Sequence, residues 1–281
     1  MKNHLKMLAL ALCMLPMYLH AGSGEDLKQS FQSAAPIPAG TILPVRLNTA
    51  LRSDKSGSGT TIIATVMQDV PLGSGETLRA GSQLTGHVIE TRTPGAGSDE
   101  ARISFQFDQA RLGNLAIPIT TTLRAIASRS AVFAATPELT SSEDADYTIE
   151  IGGDQISYGE GGQVIAGSQV VGKYTNQGVL AYSDQDLGTA NGGMIDHNPR
   201  PQAFWYFSVN ASGAYGFSNL QITHSGSTAP LGEVTLASDN KAVRVGKGSA
   251  MLLRVEGSGP DAHASANRGI GQLQLFARRQ R

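Results

Sequence analysis

Apolar side chains recur at every second position in several short runs of this chain, the period of a strand with one buried face. The clearest run is 101–108, where Ile103, Phe105 and Phe107 are expected to face inward and Arg102, Ser104, Gln106 and Asp108 outward. Ile62, Ala64 and Val66 alternate in the same way within 61–70, as do Leu115, Ile117 and Ile119 within 114–123. Two more strands are predicted at 36–47, behind a proline-bounded turn, and at 83–91. Turn-forming stretches separate them: the Ser/Gly loop at 53–59, Gly73-Ser74-Gly75 and Pro94-Gly95-Ala96-Gly97-Ser98. Five or six strands at this spacing predict the first part of a small barrel or sandwich over 36–127.

Beyond residue 125 the pattern changes. Residues 125–146 read as a mixed bridge with one short helical turn, and 147–224 are rich in glycine, including Gly152, Gly153, Gly159, Gly161 and Gly162. Within that region 203–209 is predicted to be a single strand, with Trp205 and Phe207 on one face and Phe204 and Tyr206 on the other. Three short strands follow at 232–237, 241–245 and 251–255. The last of these is expected to hydrogen-bond to a strand of the first 127 residues, because its edges need partners. The prediction is therefore an all-β fold, a small β-barrel (36–127, closed by 231–257) with an inserted glycine-rich β lobe (128–230). A low-complexity tail follows at 258–281. No repeat with a fixed period interrupts this order.

Composition agrees with many turns and few charges: the 281 residues include 33 glycines, and only 16% are charged. The N-terminus reads as an export signal over 1–21, with Lys2 and Lys6 before an apolar run and small residues at Ala21-Gly22-Ser23. That run is shorter than the roughly 20 residues a bilayer span needs, so no transmembrane span is expected after cleavage. A flexible leader is predicted at 22–35. Losing Lys2 and Lys6 moves the formal charge from −1 to about −3. A near-neutral chain of this kind does not bind nucleic acid by neutralising phosphates. The single cysteine, Cys13, lies inside the signal, so the exported chain has no disulfide, thiol nucleophile or cysteine metal ligand.

Residues 36–91 resemble the start of the β-barrel domain of TrbI-type conjugal-transfer scaffolds, components of type IV secretion systems. The resemblance rests on Ile37-Pro38-Ala39-Gly40-Thr41-Ile42-Leu43-Pro44, Ser53-Asp54, Ile63-Ala64-Thr65-Val66 and Leu78-Arg79-Ala80-Gly81-Ser82-Gln83-Leu84-Thr85-Gly86. Lys247-Gly248-Ser249 followed by 251–255 is similar to the family's closing strand. The likeness implies a barrel and a scaffolding role in the cell envelope. This chain departs from that family in its cleavable signal and in 125–230, which has no counterpart. It is also similar to secreted bacterial β proteins that share Pro201-Gln202-Ala203-Phe204-Trp205 and Gly213-Ala214-Tyr215-Gly216, a likeness that implies no activity.

Catalytic signatures are missing. His87, His197, His224 and His263 show no metal-ligand spacing, and a hydrogen-bonded strand histidine is the expected state of His87. No Gly-x-Ser-x-Gly elbow is present. Asp184, Asp186 and Gly188 begin like a calcium loop, but no glutamate closes it. Glu143, Asp144, Asp146, Glu150 and Asp154 include possible acid/base pairs of the glycosidase kind, yet they lie in or beside a polar bridge where surface acids are the rule. The expectation is a non-enzymatic exported envelope, scaffold or partner-binding protein, periplasmic or extracellular, with no catalytic residue, cofactor or metal. The alternative is a secreted carbohydrate-binding or carbohydrate-active protein. Its partner is an envelope protein or a glycan; Trp205 and Tyr206 are the candidate contacts if one face of the aromatic strand is exposed, and core on both faces is the preferred reading.

Overall fold

The computed structural model describes residues 36–72, 75–95, 99–136, 147–153, 155–181, 200–239 and 241–258. The signal, leader and tail expected at the two ends lie outside them, as do Glu143, Asp144, Asp146, Asp154, Asp184, Asp186, Gly188, His197 and His263. The described chain is nearly all β, and its first half runs as expected: β1 (Ile42–Leu47), β2 (Leu51–Arg52), β3 (Thr61–Val66), β4 (Val70–Pro71), β5 (Thr77–Leu78), β6 (Gln83–Arg92), β7 (Glu100–Leu112) and β8 (Leu115–Ala127). Helix α1 (Arg129–Ala135) is the one short helical turn expected in the bridge.

The second half contains β9 (Tyr147–Ile149), β10 (Gln155–Tyr158), β11 (Gln163–Ala166), β12 (Gln169–Thr175), β13 (Gly178–Ala181), β14 (Gln202–Trp205), β15 (Gly213–Tyr215), β16 (Leu220–His224), β17 (Val234–Asp239), β18 (Arg244–Val245) and β19 (Ala250–Ser258). Strands β8, β19, β1, β3, β6 and β7 follow one another as antiparallel neighbours, and β7 pairs back onto β8 to close a six-stranded barrel. β19 sits between β1 and β8, with Met251 opposite Val45 on one side and Ile126 on the other. A closed barrel leaves no edge along these strands.

Two features follow from the lengths of β7 and β8. β7 pairs with β8 only through 109–112, and its earlier half pairs instead with β17, on which β16 is laid. Ser104, expected outward, is consequently buried and bonds Thr235 across that pair (2.8 Å). Leu115 was expected inward, but it begins β8 at a hairpin end and stays 43% exposed, whereas Ile117 and Ile119 point into the core. β15 runs parallel to β8. The strands from 213 onward thus belong to the barrel's sheet, and the separate sheet spans β9 to β14 rather than the whole of 128–230.

That separate sheet is an antiparallel meander in the order β14, β13, β12, β11, β10, β9. Its outer ends meet in a bridge between Ile151 and Phe207, where Ile151 N–H donates to the Tyr206 carbonyl and Ser208 N–H to that of Ile151, each at 2.8 Å. The molecule therefore has two cores. One fills the barrel with Leu43, Val45, Ile103, Phe105, Phe107, Met251, Leu253 and others. The second packs Ile156, Val164, Val179, Phe204, Trp205 and Phe207 of the lobe against Ile42, Ala125, Ala250 and Leu252 on the outside of the barrel. The unbroken apolar run 250–253 follows directly, since β19 is covered on both faces.

Three glutamines tie lobe and barrel together. Gln202 Oε1 accepts from Ile42 N–H (3.0 Å), Gln68 Oε1 from Trp205 N–H (2.7 Å) and Gln177 Oε1 from Asp69 N–H (2.7 Å). Gln68 and Gln202 are buried, so losing either would leave a backbone donor unsatisfied in a dry environment. Arg124 of β8 adds a bond to the Val209 carbonyl (2.9 Å) and lies over the Phe204 ring at 5.8 Å.

Candidate functional site

The aromatic segment does not continue as a strand past Trp205. Trp205 has φ +55, a left-handed conformation rare for a bulky residue, and Phe207 N–H closes a turn onto the Phe204 carbonyl (2.9 Å). Strand alternation ends there, so Phe204, Trp205 and Phe207 all enter the lobe core. Trp205 is only 6% exposed. It has no free face on which a sugar or partner could stack, in line with the core reading of this strand. Tyr206 remains half-buried beside it, the two rings 4.7 Å apart.

Two other tyrosines share the lobe with Tyr206. Tyr158 at the end of β10 and Tyr174 on β12 pack at 4.9 Å between ring centroids. Burial pushes the Tyr158 phenol up to about 12, with smaller contributions from Tyr174, Glu150 and Tyr206, and burial also raises that of Tyr206. These phenols stay neutral at ordinary pH and can donate hydrogen bonds. An unfolded tyrosine ionises near 10, so between about 10 and 12 the folded chain holds a proton that the unfolded chain has released. Stability is accordingly expected to fall as pH rises through that window. In an alkaline titration followed by tyrosinate absorbance, Tyr158→Phe should remove this late-titrating phenol and flatten that loss.

His87 is hydrogen-bonded on the outer barrel surface, its Nδ1 2.9 Å from Asp108 Oδ2 across β6 and β7. Gln106 Nε2 lies 3.5 Å from its other ring nitrogen, and among the described residues no hydroxyl is hydrogen-bonded to the ring as a triad requires. His224 holds the loop that follows β16, with its Nδ1 2.6 Å from the Glu233 carbonyl. Glu150 is buried. Among the described residues, no three His, Cys, Asp or Glu converge as a metal site requires.

The sequence reading missed a cleft of about 490 Å³ at one end of the barrel. Three elements meet there. β1 delivers Arg46 and, just past its end, Asn48. The turn 246–249, closed by Ser249 N–H on the Gly246 carbonyl (3.2 Å), delivers Lys247. Helix α1 delivers Arg129, Val132 and Phe133. Its orientation is fixed at its start. Ser128 Oγ accepts from Ala131 N–H (3.2 Å), and Ser128 N–H donates to the Tyr215 carbonyl (2.9 Å). Gly216, at φ +70, lets the chain pass against this cap, since a Cβ there would lie 2.3 Å from Ser128 Oγ.

Among the described residues no acid lines the cleft, and none of its three cations forms an ion pair. Phe133 stands at the cleft 80% exposed. No motif marks the site, because its charges are single residues on elements far apart in the chain; only a short helical turn somewhere within 125–146 was legible. Ser128→Ala is expected to lower stability by about 1 kcal/mol in urea unfolding and to loosen the α1 wall.

No family model, curated protein or solved structure matches the chain.

Proposed function

We propose that this chain is a non-enzymatic, exported envelope protein that binds a partner, with the cleft between β1, α1 and the 246–249 turn as its docking site. The observation that carries this reading is the cleft itself: three cations, with no acid among the described lining residues, beside a phenylalanine left 80% exposed. An exposed aromatic next to a cluster of cations has the composition of a recognition surface. The frame behind it, a closed barrel tied to its lobe by buried glutamines, suits a component that holds others in place. The export signal and the TrbI-like segment at 36–91 support an envelope setting.

A photo-crosslinking residue at position 133, in the full chain expressed with its signal, tests this. The expected result is a discrete adduct with one envelope component, lost when Arg46 and Arg129 are both changed to Glu. No adduct, or one indifferent to those charges, would overturn the docking site. Turnover of a glycan, peptide or ester by the purified chain would overturn the non-enzymatic reading.

A glycan is the second partner class we infer, on the strength of Tyr158, Tyr174 and Tyr206 clustered in the lobe. That reading needs saccharide binding that weakens on Tyr206→Ala.

A further inference from the structure

Resting on the docking reading, we infer that the cleft takes an extended acidic peptide segment carrying one apolar side chain. Charge sets the first requirement. Arg46, Arg129 and Lys247 reach the cleft from three separate elements with no acid among the described lining residues, so a ligand that satisfies them bears several negative charges. Shape sets the second. The cleft, at about 490 Å³, falls within the roughly 300–1,000 Å³ typical of sites for multi-atom ligands, and one inorganic anion leaves most of it empty.

The third requirement is apolar. Phe133 is 80% exposed and Val132 lies beside it in the lining, so a small anion alone would leave the ring in water. An apolar side chain placed between acidic residues covers it, in the manner of an aromatic interface anchor. The fourth is a hydrogen-bond donor. Asn48 Nδ2 donates to Thr65 Oγ1 (2.8 Å), and among the described groups nothing donates to its Oδ1. A peptide N–H fits that acceptor; a fully ionised phosphate offers it nothing. A bilayer surface is the remaining anionic partner, and it is flat, whereas these cations line a concavity.

The test uses the full chain without its signal and a dye-labelled synthetic peptide of Asp and Glu around a central Leu, read by fluorescence anisotropy. Binding should weaken at least tenfold, or about 1.4 kcal/mol, on Arg129→Glu and severalfold on Phe133→Ala, and should weaken as salt rises. The Asn/Gln version of the peptide should bind far more weakly. Both substitutions are at exposed side chains, and matching unfolding midpoints would show that they leave the fold intact. Equal binding of the neutral peptide overturns the inference. So does inorganic phosphate binding as tightly as the peptide, or anionic phospholipid vesicles binding where the peptide does not. Such results leave the crosslink at position 133 standing, whereas loss of that crosslink removes the docking reading as well.

Discussion

Trp205→Ala is expected to destabilise the protein by about 3–5 kcal/mol, the range for deleting a large buried aromatic. The indole is 6% exposed and packs in the second core with Phe204 and Phe207, so its removal opens a cavity between lobe and barrel. Alanine gains nothing in exchange. The backbone at 205 sits at φ +55, a conformation as unfavourable for alanine as for tryptophan, and it is held by the bond from its N–H to Gln68 Oε1. Strain therefore stays while the packing that offsets it goes. Because Trp205 is the single tryptophan, unfolding must be followed by circular dichroism in urea. A midpoint within error of the parent would show that the ring does not support the lobe.

Gly86→Ala should cost at least about 3 kcal/mol, the upper part of the usual overpacking range. A Cβ at 86 would lie 2.0 Å from the Gln106 carbonyl oxygen and 2.8 Å from Phe107 Cα, both in the backbone of β7. Side chains rotate away from such contacts; a paired strand does not. β7 is held by β17 along one half and by β8 along the other, and Phe107 packs edge-on against Phe105 at 6.0 Å in the barrel core. The remaining escape is to break the pairing of β6 with β7. Gly57→Ala is the matched control: nothing lies within 4 Å of a Cβ there, and its φ is outside the left-handed region. If both variants unfold at the same urea concentration, the close approach of the two strands is wrong.

Period-two patterning was the most legible feature of the chain. It located Ile103, Phe105 and Phe107 in the core, because a half-buried strand writes its two faces directly into alternating residues, whereas the strand at 251–255 was legible as a short apolar run of the kind a strand covered on both faces shows. It failed wherever a residue's neighbour came from far away. Ser104 looked outward until β17 covered it, and 203–209 looked continuous because a bulky residue with positive φ leaves no mark in composition. Gln68, Gln177 and Gln202 read as ordinary polar residues, although each caps a backbone donor across the barrel–lobe contact. The cleft was invisible for the same reason. Arg46, Arg129 and Lys247 form a site only because a barrel end, a helix and a turn converge.

The position of β19 constrains the order in which the chain can acquire its structure. β1 and β8 are made early and can pair with β3 and β7, yet each has one edge unpaired until the residues of β19 arrive after the whole lobe has been synthesised. Pairings of such long sequence separation form slowly, because the loop between them must close first. Throughout that interval two strand edges stand open to pairing with other chains. A chain stopped before 250 therefore never closes the barrel, and it also lacks Ala250 and Leu252, on which the second core rests. β19 acts as a completeness check on the polypeptide: a product truncated before it is left as an open, aggregation-prone sheet rather than a smaller working protein.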